Sequence, residues 1–405
     1  MDNPHDPVTG LCVAHLEKWT AETHHEPAAP DPGIPVLAHL VAATGGPDAV
    51  AAAGRAVALW ARTAGRGPGH PGLYDGGLAG TLVGLRLGAA LHPALHRAAD
   101  RLRDHLAGPA PVTARRTADV GFPDYDLITG PAGVLLALSV GTSAPPPGTL
   151  TGHLTSLCDH DDLPRLRTGQ YARHPYLAWT HGRVNTGMGH GVAGIVTALT
   201  AAFRRTGDTG TAGALRRATA WLHARSYVDA RGLRTWPGAA PGGPPPEGAD
   251  PRQAWCYGTP GVAWALWDAA DALGDHEAAG RALAAFTTLA DRYDEDFHLF
   301  GHTPGDLLGL CHGAAGVLAV ADALDRHARL PAAAALAARM RARLLDRLPD
   351  ALAGPWPGGL LTGAPGALSA LLTAGGAPRD WLPCSRPVAH RATGCPASAC
   401  ADGAR

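Results

Sequence analysis

The sequence predicts an all-α fold, an α/α toroid in which a ring of inner helices sits inside a ring of outer ones. Three observations carry this. A Gly-x-x-Gly turn recurs six times, at Gly77–Gly80, Gly130–Gly133, Gly191–Gly194, Gly258–Gly261, Gly313–Gly316 and Gly363–Gly366. The spacing is 50–67 residues over a 405-residue chain, a beat that marks a repeat architecture. Each turn runs into an apolar stretch with little polar face, as in Ile195–Leu199 or Val317–Val320, which reads as a buried helix. Between them lie amphipathic stretches such as Arg216–Arg225, Glu277–Tyr293 and Pro331–Leu348, which suit outer helices with one wet face.

The same periodicity fits an open helical solenoid. Closure into a ring is the better expectation, because the chemistry-bearing residues sit on different repeats and must converge. Sheet signals are sparse, with few β-branched or aromatic residues and little alternation. Glycine at each turn permits positive φ and close backbone approach. Six helix N-termini pointing into one cavity would also make it electropositive.

The repeats cross the whole chain, so residues 1–380 read as one toroid domain with a short flexible tail, 381–405. Ahead of Gly77, the Ala-rich segment Val36–Arg66 is long enough for one or two further outer helices. The interval 141–176 is long for a helix pair and suits a small insertion or peptide-docking flap. Pro241–Pro251 is Pro/Gly-rich and reads as a surface excursion.

The formal net charge is −1 with acids and bases interspersed, which argues against nucleic-acid or anionic-membrane partners. No signal peptide opens the chain and no apolar run is long enough to span a bilayer; a cytoplasmic protein is expected. The seven cysteines are scattered and do not form a disulfide framework. Cys12 and Cys158 read as ordinary small residues. Cys384, Cys395 and Cys400 share the tail with His390, in spacings that match no standard zinc pattern.

Two strings concentrate the chemistry: Trp255-Cys256-Tyr257-Gly258 and Cys311-His312-Gly313. Each opens a repeat turn, so Cys256, Cys311 and His312 come to matching places at the entrances of two inner helices. Two thiolates and an imidazole suit Zn²⁺, and three protein ligands leave a tetrahedral position open, as in catalytic sites. His190 precedes Gly191 as His312 precedes Gly313, and Asp126 lies four residues before Gly130. A histidine can move a proton near neutral pH and a carboxylate can orient it. A histidine before a tight turn also serves simply to satisfy a carbonyl, and Asp126 competes with Asp124 as a cap of the next helix.

These strings, together with Gly189-His190-Gly191, Tyr125-Asp126 and Pro260-Gly261, resemble the lanthionine synthetase C-like family, from about Gly77 to Gly366. The resemblance implies a closed toroid and zinc-dependent cyclisation: intramolecular addition of peptide cysteine thiols to dehydroalanine or dehydrobutyrine, giving thioether rings. It implies one zinc on Cys256, Cys311 and His312, with water or substrate thiolate as fourth ligand. It places the active-site histidine on His190, the acid on Asp126 and an arginine on Arg252, with Tyr257 joining the catalytic set. The length fits a stand-alone cyclase. Implied partners are a dehydrated precursor peptide with its leader, a separate dehydratase and an exporter. Gln253 departs from the pattern, standing where some relatives carry an acid. A related toroid that adds glutathione to dehydroamino acids, and a non-catalytic zinc-bearing peptide scaffold, are the competing readings.

Overall fold

The computed structural model describes residues 7–23, 31–62, 64, 69–108, 115–142, 144–240, 252–356 and 358–381. Pro241–Pro251 and the tail cysteines Cys384, Cys395 and Cys400 with His390 lie outside the described residues. The helices come as outer–inner pairs in chain order. Outer α1 (Pro7–Glu22) is followed by inner α2 (Gly33–Thr44), then α3 (Pro47–Ala61) by α4 (Leu78–Gly88). Next come α5 (Leu95–Ala107) with α6 (Pro131–Ala137), α7 (Gly148–Leu157) with α8 (Val192–Thr206), and α9 (Thr209–Arg225) with α10 (Thr259–Leu273). Outer α11 (His276–Arg292) precedes two short helices, α12 (Glu295–His298) and α13 (Pro304–Leu308), and inner α14 (Ala314–Ala328). Outer α15 (Pro331–Ala353) and inner α16 (Ala364–Ala374) complete the set.

Each inner helix packs on the next, and α16 packs on α2, so the ring closes. The fold is an α/α toroid. Inner helices are buried nearly all round, as in α10 from Thr259 to Ala270. Outer helices bury one stripe: in α11, Ala278, Ala282, Ala285, Phe286, Leu289 and Ala290 face inward at three- and four-residue spacing. Each fully buried Leu or Phe there contributes about 1.5–3 kcal/mol.

The ring has a seventh inner helix that the glycine beat does not announce. Val36–Thr44 belongs to α2, which is inner and buried, and only the following α3 is outer. The 141–176 stretch contains outer helix α7; the irregular excursion runs on from Cys158 to Arg183. It is held by bridges from Thr168 to Val120 and to His181. Among the described residues, four two-residue strands pair as β1 (Val184–Asn185) with β4 (Ala239–Ala240) and β2 (Tyr227–Val228) with β3 (Arg234–Thr235), both antiparallel. Trp381, expected in the tail, is buried and donates its indole N–H to Thr373 Oγ1 at 2.9 Å.

The recurring glycines have a specific steric cause. At the second glycine of each turn a Cβ would collide with one backbone carbonyl oxygen: Leu73 for Gly80, Leu127 for Gly133, Met188 for Gly194, Trp255 for Gly261, Leu310 for Gly316 and Leu360 for Gly366. Close approach, rather than positive φ, is what excludes side chains. Of the glycines that open the six turns, only Gly258 has positive φ, at 88°.

The turns also bond to one another in sequence around the ring. Leu73 N–H donates to Ile128 O (2.9 Å), Leu127 to Gly189 (3.1 Å), Met188 to Cys256 (2.9 Å), Cys256 to Cys311 (3.3 Å) and Cys311 to Leu361 (2.8 Å). This belt fixes the relative position of every residue that the turns present to the cavity.

Candidate metal and acid–base centre

Cys256 and Cys311 each lie two residues before the first glycine of neighbouring turns, and the belt joins them directly. Their Sγ atoms and a ring nitrogen of His312 all lie within 4.8 Å of one another. Cys256 is buried, while Cys311 and His312 are half-buried. The hydrogen bond with Cys256 and burial hold the Cys311 thiol well above the usual range. Cys311 in turn raises the His312 imidazole, against its burial. The donor set fits zinc: a tetrahedral ion with Zn–S of about 2.3 Å holds its sulfurs about 3.8 Å apart, within easy closing distance of this cluster. Asp306 Oδ1 stands 3.8 Å from His312 Nδ1, where a carboxylate can orient a ligand imidazole.

On the adjoining turns, His190 Nδ1 and Asp126 Oδ2 are 2.6 Å apart. Asp126 is fully buried, and its other oxygen accepts N–H from Thr129 (2.8 Å) and Gly130 (2.7 Å). One carboxylate therefore both ties the turn before α6 and holds the imidazole. Asp124 has a different task, accepting the N–H of Gly121 (2.8 Å) and Arg116 (3.1 Å). The His190 ring is stacked on Phe122, with centroids 4.5 Å apart and planes 17° from parallel. Its carbonyl accepts the Tyr125 hydroxyl at 3.0 Å. The pair is next to the thiols: Met188 N–H bonds to Cys256 O, and a Cβ on Gly189 would lie 3.8 Å from Cys256 Cβ.

Tyr257 Oη accepts Asn185 Nδ2–H at 2.8 Å, and burial raises the phenol's pKa. Arg252 sits with its guanidinium carbon 4.0 Å from the Phe300 ring centroid, and its buried Nη1 has no hydrogen-bond partner among the described residues. Gln253 has a structural task in this turn. Its Oε1 accepts Thr259 N–H (2.8 Å) at the start of α10, while its Nε2 donates to Thr235 Oγ1 (2.9 Å). Sequence reasoning missed Phe122, Asn185 and Asp306. Asp306 had a local signal, since Thr303-Pro304-Gly305-Asp306 is a capping-box string; the other two carry none.

A family model described as "Lanthionine synthetase C-like protein" matches residues 49–375. The chain belongs to this family. Among solved structures, "Nisin cyclase" superposes with a TM-score of 0.71 at 17% identity, covering 91% of this chain and 94% of that one. At that identity the likeness concerns the fold. No curated protein sequence matches the chain. Among the described residues no helix is long and apolar enough to cross a membrane.

Proposed function

We propose that the chain closes thioether rings in a dehydrated peptide, adding cysteine thiols to dehydroalanine or dehydrobutyrine within the same molecule. The observation that carries this reading is the pair of fully buried Asp126 and half-buried His190, 2.6 Å across, on the turns beside the Cys256–Cys311–His312 cluster. A proton-moving pair next to a thiolate-binding triad is what addition of a thiol to an activated alkene needs.

Zinc on Cys256, Cys311 and His312 would supply the Lewis acidity that keeps a substrate sulfur ionised near neutral pH. The protein's own residues handle the proton. The sulfur lone pair forms the S–Cβ bond, the alkene π pair moves onto Cα and its carbonyl, and Cα must then gain a proton. Asp126 occupies His190 Nδ1, so Nε2 is the nitrogen left to exchange protons with substrate. His190 takes up the proton that the thiol releases and returns it to Cα, which closes the balance. Buried Asp126 fixes the tautomer and the orientation of the ring. Arg252, whose charge acts on His312, balances the negative charge that develops on the enolate, and Tyr257, whose oxygen already accepts from Asn185, keeps its own O–H to donate. The reading carries with it a leader-bearing dehydrated precursor as substrate and a separate dehydratase and exporter as co-workers.

The test uses a peptide containing one dehydrobutyrine and one cysteine, incubated with zinc-loaded protein. Cyclisation leaves the mass unchanged and removes the alkylatable thiol, which mass spectrometry counts after iodoacetamide treatment. Loss of the thiol with wild type, and its persistence with His190→Ala, supports the reading. A persistent thiol with wild type overturns it, and a gain of one glutathione mass when that thiol is supplied would reassign the chemistry to external addition.

A further inference from the structure

Four large hydrophobic side chains are exposed among the described residues, and two of them, Tyr176 (81%) and Trp179 (44%), stand in one loop of the Cys158–Arg183 excursion. That loop is fastened to the centre at both ends. At one end the Tyr171 hydroxyl accepts Phe122 N–H at 2.7 Å, and the two rings lie 4.7 Å apart; Phe122 is the ring stacked on His190. At the other end the Trp179 ring lies 6.4 Å from Tyr257, next in sequence to Cys256. Gly238 makes room for it, since a Cβ there would meet the indole at 3.0 Å. The exposed aromatic face is thus continuous with the reaction site.

Its charge is one-sided. From Leu163 to Gly207 the chain contains no Asp or Glu. Arg165 is paired with Asp159 and Arg225 with Asp162, whereas Arg173 and Arg183 are exposed and enter no ion pair among the described residues. Asp119 stands at the loop's root, packed against Gly169 with its carbonyl taken by Gln170. An exposed indole flanked by two uncompensated guanidinium groups suits a peptide that alternates carboxylate and apolar side chains.

We propose that residues 171–183 form the docking wall for an acidic stretch of the substrate peptide, with Trp179 as apolar anchor and Arg173 and Arg183 as carboxylate partners. This rests on the cyclase reading above, and its test separates the two. Two fluorescein-labelled peptides without cysteine or dehydro residues serve as probes, one with Asp and Leu alternating, the other with each Asp replaced by Asn. Anisotropy titration of zinc-loaded wild type should show the acidic probe binding about tenfold more tightly at low salt, the gap closing near about 0.5 M salt. Arg173→Gln with Arg183→Gln should abolish the discrimination. Trp179→Ala should weaken both probes by about tenfold, with circular dichroism unchanged. Equal binding of the two probes by wild type, or full discrimination by the double variant, overturns the proposal. Because the probes cannot react, a failure of cyclisation would leave this measurement intact, and cyclisation of a short neutral peptide would proceed whether or not the wall exists.

Discussion

Asp31 Oδ1 accepts the backbone N–H of Leu360 at 2.6 Å, a bond spanning 329 positions of sequence. It continues the belt that runs through the glycine turns, with one difference: the other links are backbone to backbone, and this one ends on a side chain. The same oxygen accepts Gly33 N–H at 2.8 Å at the start of α2, and the Asp31 carbonyl accepts the Trp60 indole at 2.9 Å. The first and last inner helices are joined through a single carboxylate.

That carboxylate is pushed up to about 6, by burial first and by the charge of Asp75 in addition. A raised carboxyl pKa means the folded state keeps a proton that the unfolded chain releases, so stability falls as pH rises from about 4 to 6. Asp31→Asn keeps both accepted bonds and should flatten this part of the thermal-melting profile. Asp31→Ala should lower stability at every pH by about 1–3 kcal/mol, through two unsatisfied N–H groups. Melting temperatures of the three proteins between pH 4 and pH 7 check both; parallel profiles for wild type and Asp31→Asn would refute the assignment.

Metal content should follow the thiols. Purified wild type is expected to carry about one zinc per chain, with Cys256→Ala and Cys311→Ala nearly metal-free by inductively coupled plasma mass spectrometry. Asp306→Asn should retain metal with about 10–100-fold lower affinity, read by competition with a chromophoric chelator. Full zinc occupancy in either cysteine variant would count against the ligand set.

Asp126→Asn and His190→Ala should each slow thiol loss by about 10²–10⁴-fold while keeping zinc. Asp126→Ala differs from Asp126→Asn in stability as well, because it strips acceptors from Thr129 and Gly130 N–H, at about 1–3 kcal/mol. Rates on the dehydrobutyrine peptide and melting curves separate the two effects. A His190→Ala rate within a few-fold of wild type would remove His190 from the mechanism.

Gly316→Ala and Gly366→Ala should be among the most destabilising methyl additions available, costing about 3 kcal/mol or more, since each drives a Cβ into the carbonyl of Leu310 or Leu360. Gly280 in α11 is the internal contrast. A Cβ there meets nothing within 4 Å, and Gly280→Ala should stabilise by about 0.5–1 kcal/mol through helix propensity. Urea titrations compare them directly; similar midpoints for Gly316→Ala and Gly280→Ala would undo the steric account.

Much of the molecule was legible because backbone crowding writes itself into sequence. Wherever one turn pressed on the next, only glycine fitted, so the inner-helix entrances could be counted. The seventh entrance was not countable, because Asp31 does there with a side chain what the other turns do with bare backbone. The clustering of Cys256, Cys311 and His312 was readable because the three stand at matching repeat positions. Phe122 and Asn185 were not: stacking on His190 and bonding to Tyr257 are relationships across 68 and 72 positions, and any aromatic or amide looks alike until the fold brings it there. Arg252 was visible only through the family resemblance, its spare N–H only through the structure.

The candidate metal and acid–base groups sit on turns of one repeated pattern, bonded edge to edge. Chemistry in such a scaffold is addressed by socket rather than by tertiary detail. Ile128 and Leu361 hold the same place before their glycines as Cys256 and Cys311 hold before theirs. Moving a thiol from one socket to its neighbour would rotate the reactive centre around the cavity by one step while the helices behind it stay as they are. A ring of repeated hairpins thereby separates where chemistry is placed from how the core is packed.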